Sequence, residues 1–333
     1  MPLTDERRAL RDAVRGLLAS RPDPLWPRLC KEIGVAGLAV PASHGGADAT
    51  LLESQVVMTE LARRLTPSPM LGSAVLATQA LLRAGATDLL PSLCAGDRVA
   101  TLLFLDDHTV SVAGRLTGEA SQVLDTAAAD VLLAVTGDGL WEVAATARGV
   151  DVLPCDVLDA TRPLAVVHLD DVPAWRLSDD PGLLPWLRDL ACVALSAEQV
   201  GAASRAFELT HEYVRQRVQF GRPIGSFQVI QHRLAEAYLS LEAATTASWT
   251  AAEAVAAGAP DTATPAAMAK VCCSEAQRAI TAEMVQMHGG IAITWEHDAH
   301  RYLRRAYADA ELFGSPGVHL NRLAAALELS PGP

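Results

Sequence analysis

Residues 217–228 read RVQFGRPIGSFQ. Upstream, Leu187, Leu190, Ala194, Ala197 and Val200 recur every three or four residues, and downstream Ile230, Leu234, Ala237 and Leu241 do the same. The spacing predicts two long helices joined by this stretch. Gly221, Pro223 and Gly225 explain why neither helix continues through it. They do not explain Arg217, Phe220 and Gln228, which stand around the break. An interhelical turn needs none of the three, whereas a ligand-gripping loop would use them all.

Outward from this break the C-terminal part stays helical. The downstream helix stops near Gly258-Ala259-Pro260. Thr264 and Pro265 predict an N-cap and first-turn proline for the next helix, which runs to His288-Gly289-Gly290. A last helical region covers about 296–330. The N-terminal hundred residues are also helical. Thr4 can cap a helix whose first turn carries Asp5 and Glu6, and Leu10, Val14, Leu17 and Leu18 form its apolar stripe. Leu52, Val56 and Leu61 mark a second helix, and 73–86 a further one. Between these regions come short β-rich runs: VATLLFL, TVSVAG, DVLLAVT, LWEVAAT, VDVLP and LAVVHL. No βαβ alternation is visible. The expected class is therefore α+β, with an N-terminal helical domain over 1–97, a middle β domain over 98–182 and a C-terminal helical domain over 183–333.

Composition bounds the function. The chain has 333 residues, 50% of them apolar, and a formal net charge of −12, which disfavours a nucleic-acid binder. Lys31 and Lys270 are the only lysines among 27 basic residues, a bias that fits codon usage in a GC-rich genome. Six cysteines, Cys30, Cys94, Cys155, Cys192, Cys272 and Cys273, lack zinc-like spacing and read as reduced thiols. No metal site is expected. The first twenty residues lack an apolar signal region, and no run approaches the ~20 apolar residues of a membrane span. A cytoplasmic chain without membrane insertion is the expectation.

Four segments carry the chemistry: VPASHGG at 40–46, RVQFGRPIGSFQVIQHRLAE at 217–236, QMHGGIAITWEH at 286–297 and RYLRRAYADAELFG at 301–314. Together they resemble the acyl-CoA dehydrogenase family. The resemblance covers both helical domains, and the pairing of R-x-x-F-G-x-x-I-x-x-x-Q with a later Q-x-x-G-G is its most specific element. It implies a helical domain, a β domain and a C-terminal four-helix bundle, with FAD bound and subunits assembled as dimers or dimers of dimers. It further implies that Arg217, Phe220, Gln228, Gln286, Gly289 and Gly290 reach the FAD of a neighbouring subunit. The residue types suit that task. A planar guanidinium can pair with a pyrophosphate, glycines let backbone N–H groups approach closely, and glutamine amides both donate and accept.

The same resemblance exposes a gap. The family's reaction needs a carboxylate to remove the α-proton of an acyl thioester. Its usual place, before a glycine two dozen residues after the G-G pair, falls on Phe313 ahead of Gly314. Its alternative place, 26 residues before the motif arginine, falls on Ala191. Neither is a base. Glu311 and Asp189 are each two residues from these positions, about 200° around a helix, and otherwise read as solvated acids. The β domain also departs from the pattern, because 101–114 lacks the threonine and glycine donors expected at a flavin ring. Asp106-Asp107 and Asp170-Asp171 read as turn carboxylates, and His44 as loop structure. His297 and His300 read as surface histidines. Arg301, Arg304 and Arg305 read as a solvated helix face, or as contacts to an acidic partner or CoA.

These observations lead to one expectation and three rivals. The expectation is a subunit of a FAD-dependent acyl-CoA dehydrogenase in fatty acid or steroid side-chain β-oxidation. It would lack its own base and lend its FAD-binding residues to a homologous catalytic subunit in a heterotetramer. An electron-transfer-flavoprotein-like acceptor would take the electrons. The rivals are a self-sufficient homomer with Glu311 as a displaced base, a flavin-free scaffold subunit, and a flavin enzyme of the same fold with different chemistry.

Overall fold

The computed structural model describes residues 3–20, 23–105 and 109–329. Internal contacts divide the chain into two compact units. Among the described residues, one comprises those up to Val57 and those from Pro67 to Ala191, the other Met58–Thr66 and those from Cys192 onward. Helix α3 (Leu51–Ala62) and helix α6 (Leu183–Gln216) each contribute residues to both.

In the first unit, α1 (Asp5–Ala19) starts beneath Thr4, whose hydroxyl accepts from Arg7 N at 3.3 Å. Val14, Leu17 and Leu18 are its buried stripe, as the spacing predicted. Helix α2 (Leu25–Ile33) follows. Segment 73–86 divides into a π-helical stretch, Met70–Ala77, and α4 (Thr78–Ala84). Helix α5 (Leu90–Ala95) leads into the strands. Ser73 in the π-helical stretch accepts from Ala100 N at 3.1 Å and ties the helices to the first strand.

Among the described residues of this unit, eight strands form two four-stranded sheets. The first orders β1 (Ala100–Phe104), β4 (Val131–Thr136), β5 (Gly139–Ala144) and β8 (Trp175–Ser178), with only β1 and β4 parallel. The second is antiparallel and orders β2 (Val110–Val112), β3 (Arg115–Leu124), β7 (Leu164–Pro173) and β6 (Val150–Pro154). Leu103, Leu132, Ala134 and Val143 of the first sheet share a core with Leu116, Ala120, Val167 and Leu169 of the second. The six β-rich runs correspond to six of these strands, and β3 and β8 are additional. Register shifts between Leu116 and Gly118 and between Ala120 and Val123 break the alternation that would have marked β3. Asp170 and Asp171 lie in β7 and not in a turn. Asp171 sits at φ 50 and accepts from Arg115 Nε at 2.6 Å. The pair Asp106-Asp107 lies outside the described residues.

The second unit is a helical bundle of α6, α7 (Gln228–Ala256), α8 (Ala263–His288), α9 (Ala299–Glu311) and α10 (Pro316–Ala326). Its core is rich in small side chains: Ala202, Ala203, Ala206, Ala237, Ala244 and Ala276 pack with Leu241, Ile280 and Met284. Small residues let helices approach closely, and a Cβ on Gly201 would fall 2.2 Å from the Thr59 carbonyl. Helix α8 begins one residue before Thr264, so Thr264 is not its cap. The Asp261 carboxylate accepts from Thr264 N at 3.1 Å instead. The last helical region is two helices, because Phe313 and Gly314 adopt left-handed backbone at φ 60 and 97. Among the described residues no helix is long and apolar enough to cross a membrane.

Candidate functional site

The stretch that opened the sequence folds as a hairpin between two helices. Arg217 N closes α6 onto Tyr213 O at 2.8 Å. Strands β9 (Val218–Gln219) and β10 (Arg222–Pro223) then pair across Phe220 and Gly221, at φ 53 and 78. Two successive positive φ values match a two-residue turn that normally takes Asn-Gly. Phenylalanine there costs on the order of 1 kcal/mol or more. Its ring recovers little of this by burial in the chain, being 92% exposed, and it meets Phe227 edge-on at 6.2 Å. A phenylalanine standing alone is more often a core residue, and here it is not. Arg217 is exposed, and no ion pair to it occurs among the described residues. Gln228 is exposed at the first position of α7.

The second motif lies at the same end of the helical bundle, where α8 finishes beside the end of α6. Helix α8 ends at His288, and Gly289 leaves it at φ 65, ψ −144, a conformation essentially restricted to glycine. A Cβ on Gly290 would meet nothing within 4 Å, and its φ is not positive. Packing within the chain therefore gives no reason for glycine at 290. Gln286 is exposed. Tyr213 joins the two motifs. Its ring stacks on His288 at 4.2 Å and its hydroxyl donates to His288 O at 3.3 Å, four residues before Arg217. His288 donates Nδ1–H to Met284 O at 2.7 Å, and its ring lies 4.6 Å from His297. Burial first, with the adjacent His297, lowers the His288 pKa, so the imidazole stays neutral against the tyrosine. Tyr213 and His288 were not singled out from the sequence. Tyr213 lies one helical turn before the motif arginine, a spacing that could have marked it.

The positions expected to carry a base hold none. Ala191 is fully buried in α6. Phe313 is half-buried, and its carbonyl accepts from His319 Nε2 at 3.1 Å and from Cys192 Sγ at 3.8 Å. Just before it, Lys270 Nζ donates to Asp309 O at 2.5 Å and Ala310 O at 3.2 Å. Lys270 is 0% exposed, and burial is the main cause that lowers its pKa to about 8. Glu311 ends α9 and is exposed, as the helical geometry implied. Asp189, expected to be solvated, is buried.

The remaining candidates separate. His300 meets Trp295 edge-on at 4.9 Å, whereas the His297 ring lies against His288. Among the described residues, no group of three or more His, Cys, Asp or Glu is placed to hold a metal. Arg301 pairs with Asp298 at 2.9 Å, and Arg304 lies 5.0 Å over Trp295. Arg305 is buried, 4.0 Å from the buried Asp309, so the three arginines are not one solvated face. His44 ends a short 3₁₀ turn, Ala42–His44. The cysteines are free, four of them buried.

Comparison with known proteins agrees with this geometry at both ends of the chain. Residues 4–97 match the family described as "Acyl-CoA dehydrogenase, N-terminal domain", and residues 190–328 match "Acyl-CoA dehydrogenase, C-terminal domain". The chain is 39% identical to acyl-CoA dehydrogenase IpdE2 of Mycolicibacterium smegmatis, over 96% of this chain and 94% of that one. It is 38% identical to IpdE2 of Mycobacterium tuberculosis, over 98% and 99%. Among solved structures it resembles a variant of the Tcur3481-Tcur3483 steroid ACAD, with TM-score 0.90, 29% identity and 98% of each chain covered. It also resembles the ChsE4-ChsE5 complex from Mycobacterium tuberculosis, with TM-score 0.90, 27% identity and 99% of each covered. With both terminal domains matched and relatives this similar along their whole length, the chain belongs to the acyl-CoA dehydrogenase family.

Proposed function

We propose that this chain is a subunit of a FAD-dependent acyl-CoA dehydrogenase that lacks its own base and completes the FAD site of a homologous catalytic subunit. The observation that carries this reading is the contrast between two ends of one bundle. The dinucleotide motif is complete and exposed, while the base position holds Phe313. An exposed phenylalanine in a strained turn, an arginine with no ion pair among the described residues and a glycine with open space beside it are not explained by packing among those residues. All three suit a ligand contributed from outside. Arg217 would hold the pyrophosphate, and Gly289 and Gly290 would let backbone N–H groups approach it. Gln228 and Gln286 would serve the adenosine half, with Phe220 against it. When bound, FAD would accept the hydride that leaves the acyl β-carbon. The partner would supply the carboxylate that takes the α-proton.

Two of the similar solved structures are named as pairs of chains, and one as a steroid enzyme. We extend both features to this protein: a heteromeric partner and a bulky, steroid-derived acyl-CoA. An electron-transfer-flavoprotein-like protein would reoxidise the flavin.

The test is co-expression with a homologous dehydrogenase subunit that carries an intact glutamate. Flavin absorbance is then read for the complex and for each chain alone. The reading expects FAD only in the complex, and its loss with Arg217→Ala. A chain that is yellow alone and oxidises an acyl-CoA would instead identify a homomer, and Glu311→Gln would be the variant to examine. A colourless complex would identify a scaffold, and flavin turnover without acyl-CoA oxidation a different chemistry.

A further inference from the structure

The turn that holds Phe313 is fixed far more heavily than a connection between two helices requires. Phe313 is a non-glycine residue in left-handed backbone at φ 60, followed by Gly314 at φ 97. Such backbone persists only where its surroundings hold it. Here three buried side chains from three helices donate to carbonyls at or just before the turn. Lys270 of α8 reaches Asp309 O and Ala310 O at 2.5 and 3.2 Å. His319 of α10 reaches Phe313 O at 3.1 Å, and Cys192 of α6 reaches the same oxygen at 3.8 Å.

The supporting contacts have a consistent polarity. Arg322 Nη1 lies 3.3 Å from His319 Nδ1. An arginine can only donate, so Nδ1 is the acceptor and the ring proton sits on Nε2, facing the Phe313 carbonyl. The Asp309 side chain accepts from Gln277 Nε2 of α8 at 3.2 Å, a second tie between α8 and the last turn of α9, and lies 4.0 Å from Arg305 Nε within α9. Composition adds a separate argument. In a chain with only two lysines among 27 basic residues, one is spent here at 0% exposure. A compact ammonium with three rotatable donors can reach two adjacent carbonyls at once.

We propose that Lys270, His319 and Cys192 are positioning residues for position 313. They set its backbone so that whatever side chain stands there points in one direction. The proposal rests on the reading above only for its use: position 313 is then a preset socket at the base position of a dehydrogenase subunit, filled by an aromatic ring.

The clamp can be tested without activity. The full chain is made with 4-fluorophenylalanine at its five phenylalanines. The residue 313 signal is assigned by its loss in Phe313→Leu. The proposal expects one sharp fluorine line in the wild-type chain. In Lys270→Met and His319→Leu it expects this line to broaden or split towards the shift of an exposed ring. His319→Gln keeps a donor and should restore the single line. An unchanged line in folded Lys270→Met and His319→Leu would overturn the clamp. If either fails to fold, Cys192→Ala is the milder variant, in which the line should broaden, and an unchanged line there overturns the clamp equally.

A second arm tests the use. Phe313→Glu is combined with a partner subunit whose own base is neutralised by Glu→Gln. Recovery of acyl-CoA-dependent flavin bleaching supports the socket. Adding Lys270→Met should then lower the recovered kcat by roughly 10²-fold with a smaller change in KM, the penalty of a misplaced group. Recovery that ignores Lys270→Met would overturn the proposal. No recovery beside a normal fluorine signature would count against the reading of position 313 as a base site, and not against the clamp.

Discussion

Lys270→Met keeps the length of the side chain and removes its charge and its donors. Two effects follow, and pH separates them. The first is lost capping. The carbonyls of Asp309 and Ala310, which accept from Nζ at 2.5 and 3.2 Å, are left buried without that donor, at a cost of about 1–3 kcal/mol at neutral pH. The second is proton linkage. The unfolded chain keeps the lysine proton up to 10.5, and the folded chain only to about 8. Between these values the unfolded state binds more protons, so the contribution of Lys270 to stability rises with pH across that window and is flat below it. The full shift corresponds to on the order of 3 kcal/mol, and the step from pH 8 to 9.5 to roughly 2 kcal/mol. Urea unfolding followed by circular dichroism at several pH values measures both effects. The stability gap between wild type and variant should widen by about that amount as pH rises from 8 to 9.5. Taking the difference matters because burial raises the pKa values of the Cys30, Cys94 and Cys273 thiols, an opposing trend shared by both proteins. Parallel profiles, or a gap that narrows with pH, would show that the lysine is not held in a desolvated site and would refute the reasoning.

Three further outcomes follow from the same geometry. Phe220→Gly relieves a left-handed phenylalanine whose ring is 92% exposed, so the isolated chain should gain up to about 1 kcal/mol in chemical unfolding while the complex loses flavin on gel filtration. Gly290→Ala places a methyl where nothing of the chain lies within 4 Å; thermal stability should change by less than about 0.5 kcal/mol, while retention of FAD in the complex falls. Gly201→Ala should behave in the opposite way. Its Cβ would fall 2.2 Å from Thr59 O, so the chain should lose about 1–3 kcal/mol in urea unfolding before any question of ligand arises.

Much of the architecture was legible in the chain because the relevant interactions are local. Apolar residues at three- and four-residue spacing marked α6 and α7, Gly258-Ala259-Pro260 followed by Pro265 marked the break before α8, and Thr4 with its acidic first turn marked α1. Where local signals conflicted, the reading failed. Strand β3 was missed because two register shifts interrupt its alternation, and Thr264 was taken as a cap although Asp261 caps that helix from outside it. Phe220 illustrates a different limit. Its residue type suggests a core, and only its neighbours in three dimensions, one edge-on ring and open solvent, show that it is not one.

By itself, the sequence determined the order of helical and β regions, the family, and the absence of a carboxylate at positions 191 and 313, because periodicity and motif spacing are properties of the chain alone. Only the tertiary structure decided what surrounds those positions. Lys270, Cys192 and His319 are 43, 121 and 6 residues from Phe313 in sequence, and no local pattern joins them. Their convergence on one turn arises from the packing of α6, α8, α9 and α10, where each buried donor must find a carbonyl and the end of a helix offers several unpaired ones.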